Sequence, residues 1–357
     1  MKIAVIGGGI NGLCCAWQLA LKGASVEVIE KDKIMNQTSS ASSKLLHGGL
    51  RYLENLEFSL VYESLRERNW WLKNVPELTN ELHMILPVYN DGPRSKWIIK
   101  AGLLFYDILS GKANISKHQW ISKEEIKLKC PDLKTKNLVG AFRFSDGQMD
   151  DYKLGMWVAD RAKEDGVKII ENSKVNKIDL DGNIIINDSA YKFDRIVNTC
   201  GPWAHELIEK SNIEGQFKLD LIRGSHILIK SEPDHAYFLQ AENDGRIFFV
   251  LPYNGNTLIG TTEVRQELNQ PIEPSKDEIN YLLCEYNKYF VVEKNEDDII
   301  KKFAGLRPLI SSTKNPKDIK REYKIEIMDS LINIYGGKWT TAMSLGKKVA
   351  KKVLHEN

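Results

Sequence analysis

Residues 2–12, KIAVIGGGING, read as a short apolar strand that runs directly into three glycines and then into a helix, and this feature restricts the fold most. Gly7, Gly9 and Gly12 satisfy G-x-G-x-x-G. The helix pattern stops at Gly23, a second strand pattern follows at Ser25 to Glu30, and Glu30 stands eighteen residues beyond Gly12. A strand, helix and strand in this order place the two strands in parallel, because the crossover is right-handed in nearly all cases. Gly7 permits the tight turn, Gly9 lets backbone approach a pyrophosphate, and Gly12 lets the helix pack on the sheet. The helix N-terminus offers N–H groups and partial positive charge to phosphates, and Glu30 is the expected partner of a ribose hydroxyl. The motif does not separate FAD from NAD.

The rest of the chain returns to this unit twice. Phe58 to Lys73 reads as a charged helix, and Pro76, Pro87 and Pro93 then break the pattern into turns and short strands. Asp150 or Asp151 is placed to cap a helix ending at Glu164, followed by strand patterns at 167–170, 174–180 and 193–198, taken as the parallel sheet resuming. Between Leu219 and Thr262, short β-branched or aromatic runs separated by turn residues predict an antiparallel sheet. Leu331 to Tyr335 reads as a strand, Gly336-Gly337 as a turn and Trp339 to Leu354 as a basic helix. The expected fold is α/β: a Rossmann-like dinucleotide-binding domain from segments 1–80, 145–212 and 302–357, with an inserted antiparallel β-sheet substrate (cap) domain from 81–144 and 213–301.

Fifty Lys+Arg against forty-eight Asp+Glu leave a formal net charge of +2, which gives no electrostatic case for a nucleic-acid partner. Five cysteines without a C-x-x-C pair predict neither a metal site nor a disulfide framework and favour a reduced, cytoplasmic setting. Met1 to Ile6 leaves no room for the parts of a signal peptide. The most apolar window, Trp97 to Leu109, carries Lys100 and Asp107 and is too short to cross a bilayer.

Two further features favour a flavin. Val197 to Trp203 (VNTCGPW) puts a strand end and a glycine at the carboxyl edge of the sheet, where ligands of doubly wound folds bind. Gly336 to Thr341 (GGKWTT) offers a second helix N-terminus with Lys338 in its first turn, suited to the negative charge a reduced flavin carries. A third segment, Thr38 to Glu54, is dense in hydroxyls and glycine and brings His47, Arg51 and Tyr52 close together. Arginine suits phosphate oxygens and histidine exchanges protons near neutral pH, while a surface loop with incidental charge is the plain alternative.

GGGINGL at 7–13, SSASSKLLHGGLRYLE at 39–54, GPW at 201–203, RGSHIL at 223–228, IGTTEV at 259–264, GLRPL at 305–309 and GGKWTT at 336–341 follow one another across nearly the whole chain. In this order they resemble the FAD-dependent glycerol-3-phosphate dehydrogenases, within the D-amino-acid-oxidase-like flavoprotein superfamily. The 39–54 block is the specific part, since amine oxidases of the superfamily share the first glycines but not that block. The resemblance implies oxidation of sn-glycerol 3-phosphate to dihydroxyacetone phosphate by hydride transfer from C2 to flavin N5, with electrons passed to quinone or another acceptor. It implies that FAD is held by Gly7, Gly9, Ile10, Asn11, Gly12, Glu30, Lys31, Thr38, Ser39, Ser42, Ser43, Leu46, His47, Gly48, Val175, Gly201, Trp203, Arg307, Gly337, Lys338, Trp339 and Thr340. Arg51, Tyr52, Thr262, Arg307, Arg321 and Lys338 are similar to the family's substrate-binding residues. His47 and His226 are the two candidates for the base that takes the C2 hydroxyl proton, and Arg307 for stabilising the oxyanion that develops there.

The resemblance leads to the expectation of a short form of the family, without the helical C-terminal domain that members commonly carry. The alternatives that stand beside the dehydrogenase reading are an oxygen-using oxidase of the same fold, acting on another hydroxy or amino acid, and a flavoprotein without turnover. Trp97 to Leu109 resembles a stretch that attaches family members to the membrane surface. A helix packed on its own domain is the equal alternative there.

Overall fold

The computed structural model describes the chain except residues 54–55, 93, 112–114, 232, 243, 312–322 and 355–357. Strand β1 (Lys2–Ile6) is buried from Ile3 onward on both faces, as the centre of a parallel sheet requires. It pairs in parallel with β2 (Ser25–Ile29) on one side and Arg195–Asn198 on the other. Leu331–Tyr335 and Lys168–Ile170 extend the sheet in parallel, and Lys324–Met328 adds an antiparallel edge. The chain therefore leaves β1 toward one side and returns on the other, which opens a crevice at the strands' carboxyl ends.

Helix α1 (Ile10–Ala20) lies against the C-terminal helix Ala342–Val353, with Cys15, Ala16 and Leu19 meeting Leu345, Val349, Ala350 and Val353. Gly346 lets the two approach: a β-carbon there would stand 2.6 Å from the Cys14 carbonyl oxygen. Each fully buried aliphatic side chain in this cluster contributes about 1.5–3 kcal/mol. The helix Asp151–Glu164 begins at the expected place, its N-terminus capped by Asp150, which accepts the Lys153 N–H at 3.0 Å.

The second large sheet is antiparallel. Leu219–Ile229 pairs along its whole length with Ile299–Ile310, and Asn256–Gly260, Ile247–Tyr253 and Ala236–Gln240 follow in order. Thr79–Tyr89 and Leu138–Met149 form the other half. Helix Lys276–Tyr289 closes one face through Ile279, Leu282, Leu283 and Tyr286. The helices α2 (Phe58–Asn74) and α3 (Lys96–Ser110) pack on the other part of the sheet through Val61, Leu65, Leu103 and Tyr106. All five cysteines are free thiols.

Three expectations are corrected in detail. Of the strand patterns between 167 and 198, the first and last join the parallel sheet, but Val175–Ile178 belongs to a separate antiparallel sheet with Asn183–Ile186 and Ser189–Lys192. The boundary at 302 falls inside Ile299–Ile310, whose pairing with Leu219–Ile229 carries it into the antiparallel sheet. The C-terminal helix begins at Ala342 rather than Trp339, so Lys338 stands in the turn before it. Gly336 and Gly337, at φ +79° and +106°, hold that turn open.

Candidate active site

The carboxyl ends of four neighbouring parallel strands supply one cavity of about 640 Å³ through Gly7, Glu30, Thr199 to Gly201 and Gly336-Gly337. Gly7 sits at φ +104°, and a β-carbon there would lie 2.7 Å from the Thr199 carbonyl oxygen. A β-carbon on Gly12 would lie 1.9 Å from the Gly7 carbonyl oxygen, so the helix reaches the turn only with glycine at that position. Gly9 and Ile10 face Ser39, whose hydroxyl accepts the Ile10 N–H at 3.0 Å. Glu30 is pinned at the end of β2, accepting the Gly8 N–H at 2.7 Å on one oxygen and the Asp32 N–H at 3.0 Å on the other. Beside it, Lys31 Nζ lies 3.5 Å from the centre of the Trp203 ring. Val175, Gly201 and Trp203 complete this end.

These groups fit a dinucleotide. A helix N-terminus suits a pyrophosphate, and a fixed carboxylate suits ribose hydroxyls. Asn11 gives an independent sign: its Nδ2 donates to the Gly336 carbonyl at 3.3 Å, while its Oδ1 is buried in the wall with no hydrogen-bond partner. Such an orphaned acceptor calls for a donor from a ligand. The size lies within the range of ligand cavities.

The other end of the cavity is made by side chains from distant segments. His47, Tyr52, Thr261, Arg307 and Lys338 line it. Lys338 Nζ stands 3.8 Å above the Tyr52 ring, whose centre is 6.3 Å from that of His47. Arg307 Nη2 donates to Thr261 Oγ1 at 2.7 Å. Gly224 makes room for it, since a β-carbon there would meet Arg307 Nη2 at 2.2 Å, which explains the glycine in RGSHIL.

Lys44 and Asp151 form a buried ion pair at 2.5 Å, and Lys44 also donates to the Ser40 carbonyl at 2.8 Å. Ser42 donates to Asp151 from both its N–H and its hydroxyl. Together they fasten the loop that carries Ser39, Ser43 and His47. Thr38 donates to the Leu306 carbonyl at 2.8 Å and Trp339 Nε1 to the Ser39 carbonyl at 2.9 Å, so both ends of the cavity share this loop.

Several singled-out residues stand behind the wall rather than in it. His226 is buried on Leu219–Ile229, stacked on Phe303 with ring centres 5.0 Å apart. Its Nε2 shares a hydrogen bond with Ser43 Oγ at 2.8 Å, and Ser43 faces the cavity. Burial, then the charges of Arg307 and Lys44, hold this imidazole well below its usual range, so it is neutral. Thr262 donates to Glu278 Oε1 at 2.6 Å and accepts the Ser225 N–H at 2.9 Å, on the side away from the cavity. Leu46 and Gly48 are buried, and the Gly48 N–H is held by Tyr106 Oη and Asp146 Oδ1, both at 3.0 Å. Arg51 lies 4.0 Å from Glu263 Oε1, on which Arg307 also converges at 3.7 Å. Arg321 falls outside the described residues.

Thr261, Glu263 and the Tyr106–Asp146–Arg68 cluster were missed from the sequence. For the first two the signal was their place in IGTTEV, a segment whose residues 261–263 link the strands Asn256–Gly260 and Val264–Arg265. Among the described residues no cluster of His, Cys, Asp and Glu suits a metal ion, and no helix is long and apolar enough to cross a membrane.

Comparison with known proteins agrees with this geometry. The family model described as FAD dependent oxidoreductase matches residues 2–352. A glycerol-3-phosphate dehydrogenase of Synechocystis sp. is 33% identical over 98% of this chain and 69% of its own length. A D-erythritol 1-phosphate dehydrogenase of Brucella abortus is 32% identical over 98% of this chain and 73% of its own. Among solved structures, the FAD complex of the glycerol-3-phosphate dehydrogenase from Bacillus halodurans superposes with a TM-score of 0.79 at 24% identity, covering 99% of this chain and 64% of that one. That likeness speaks for the fold. With the family model spanning the turn after β1, the crevice and the C-terminal helix alike, this chain belongs to the FAD-dependent oxidoreductase family, and its cofactor is FAD.

Proposed function

We propose that this chain oxidises the C2 alcohol of sn-glycerol 3-phosphate to dihydroxyacetone phosphate and passes the electrons to a quinone or another acceptor. The observation that carries the reading is the second end of the cavity: Arg307, Lys338, Tyr52 and His47 converge where the dinucleotide cradle stops. Bound FAD supplies the acceptor for the C2 hydride. Arg307, oriented by Thr261, grips the anionic end of the substrate and stabilises charge developing on the oxygen. Lys338, held over Tyr52, adds a second cation. His47 faces the cavity and takes the hydroxyl proton, while His226 keeps the Ser43 hydroxyl in place from behind.

A longer phosphorylated polyol is the second reading, favoured by the Brucella relative named for D-erythritol 1-phosphate at nearly the same identity as the Synechocystis relative. Steady-state rates with a dye acceptor across glycerol 3-phosphate, erythritol phosphates and unphosphorylated glycerol decide between them. Activity on none of the phosphorylated compounds rejects both, and stoichiometric peroxide in air assigns an oxidase instead.

Helix α3 supports attachment at a membrane surface, where a quinone would be met. Trp97, Ile98, Leu104, Phe105 and Ile108 are exposed along it, and Lys100 lies over Trp97. Sedimentation with anionic liposomes in moderate salt, lost in a Trp97→Ser/Phe105→Ser variant, is the expected result. A protein that stays in the supernatant removes this part of the reading.

A further inference from the structure

Glu263 is a buried carboxylate in the IGTTEV segment, its side chain 2% exposed, and none of the steps above uses it. Its Oε1 stands 3.7 Å from Arg307 Nη1 and 4.0 Å from Arg51 Nη1. It does not line the cavity, whereas Arg307 does, and Arg51 lines a smaller apolar cavity next to it. The carboxylate therefore sits behind two guanidinium groups that come from segments more than two hundred residues apart in the chain and would repel each other.

We propose that Glu263 is a positioning residue: from behind the wall, with Arg51 as a second cation on the same carboxylate, it holds Arg307 at the anion-binding end of the cavity before the substrate arrives. The inference rests on the reading of that end as a phosphate site. Long arginine side chains lose rotamer freedom when they grip an anion, and a partner that orients them in advance reduces that loss. Thr261 oxygen takes one nitrogen of Arg307 and the Glu263 carboxylate attracts the other, so the guanidinium is held from two sides. Without the carboxylate, repulsion drives Arg51 and Arg307 apart and the site must be rebuilt at each binding event.

The test compares wild type, Glu263→Gln and Glu263→Asp as FAD-loaded proteins. FAD content, kcat and KM for glycerol 3-phosphate, and the Kd for inorganic phosphate read from the flavin absorbance of the oxidised protein, are measured for each. In Glu263→Gln, KM and the phosphate Kd should rise on the order of ten-fold and kcat should fall with them, while FAD content changes little, and Glu263→Asp should recover part of the loss. An unchanged or lower KM in Glu263→Gln overturns the proposal, the lower value showing that the carboxylate competes with substrate. Loss of FAD in both variants also overturns it, by making the carboxylate structural. If wild type turns over no phosphorylated polyol, the functional reading fails, and the phosphate Kd still decides the role of Glu263.

Discussion

The two ends of the cavity are built in different ways. At the cofactor end backbone sets the geometry: a helix N-terminus, the glycines at 7 and 12 that leave no room for a β-carbon, and the Glu30 carboxylate held by two N–H groups. At the substrate end they come from side chains of four distant segments, steadied by partners behind them such as Thr261, Glu263 and Ser43. A backbone site tolerates change in its outward residues but not in its turns. A side-chain site fails one function at a time. Variants that separate cofactor retention from turnover therefore test whether this division is real.

The largest effect belongs to Gly12→Val, which drives a side chain into the Gly7 carbonyl. Purified protein should carry almost no FAD, and a yellow, fully loaded variant would break the comparison at its cofactor end. Next comes His47→Asn, expected to keep FAD while kcat falls by about 10²–10⁴-fold, the usual worth of a general base. A His226→Asn variant should lose less; the reverse order in stopped-flow reduction rates would move the base to His226. Between the two ends, Asp151→Ala leaves Lys44 buried without its partner and should cost roughly 3–5 kcal/mol in chemical denaturation, as broken buried pairs do.

The smallest effect is a pH dependence. His226 is held well below its unfolded value, first by burial and then by Arg307 and Lys44, so the unfolded chain binds a proton that the native one does not. Stability should therefore be fully present above about pH 6.5 and fall as pH drops below that unfolded value. Replacing His226 by Asn should flatten the fall in Tm between neutral and mildly acidic buffer. An identical slope in both proteins would place the acid sensitivity elsewhere.

The same division governs what could be read from the sequence. The β1–α1–β2 unit and Glu30 follow from local spacing, because a strand, a glycine turn, a helix and a second strand are all written within thirty consecutive residues, although the groups that crowd Gly7 come from Thr199 and Cys200 far along the chain. Thr79–Tyr89 and Leu138–Met149 were not legible as the long strands they are, since Pro87, Gly140 and Gly147 interrupt their patterns and the sheet supplies the missing stability. At the substrate end, Lys338 stood out from its place after the glycine turn and Arg307 through family resemblance, but Glu263 did not. Its significance arises from two arginines that meet it only after the chain has folded. Thr262 shows the converse, a hydroxyl in the right motif that the fold turns toward Glu278 and away from the cavity.

Whether a single cavity holds FAD at one end and a phosphorylated alcohol at the other is decided by anaerobic addition of glycerol 3-phosphate to the FAD-loaded protein, with Arg307→Ala as the comparison. Wild type should bleach its flavin absorbance, and Arg307→Ala, with equal FAD content, should bleach at least about a hundred-fold more slowly. Bleaching of both proteins at the same rate, or of neither, would mean that Arg307 does not hold the substrate against the flavin.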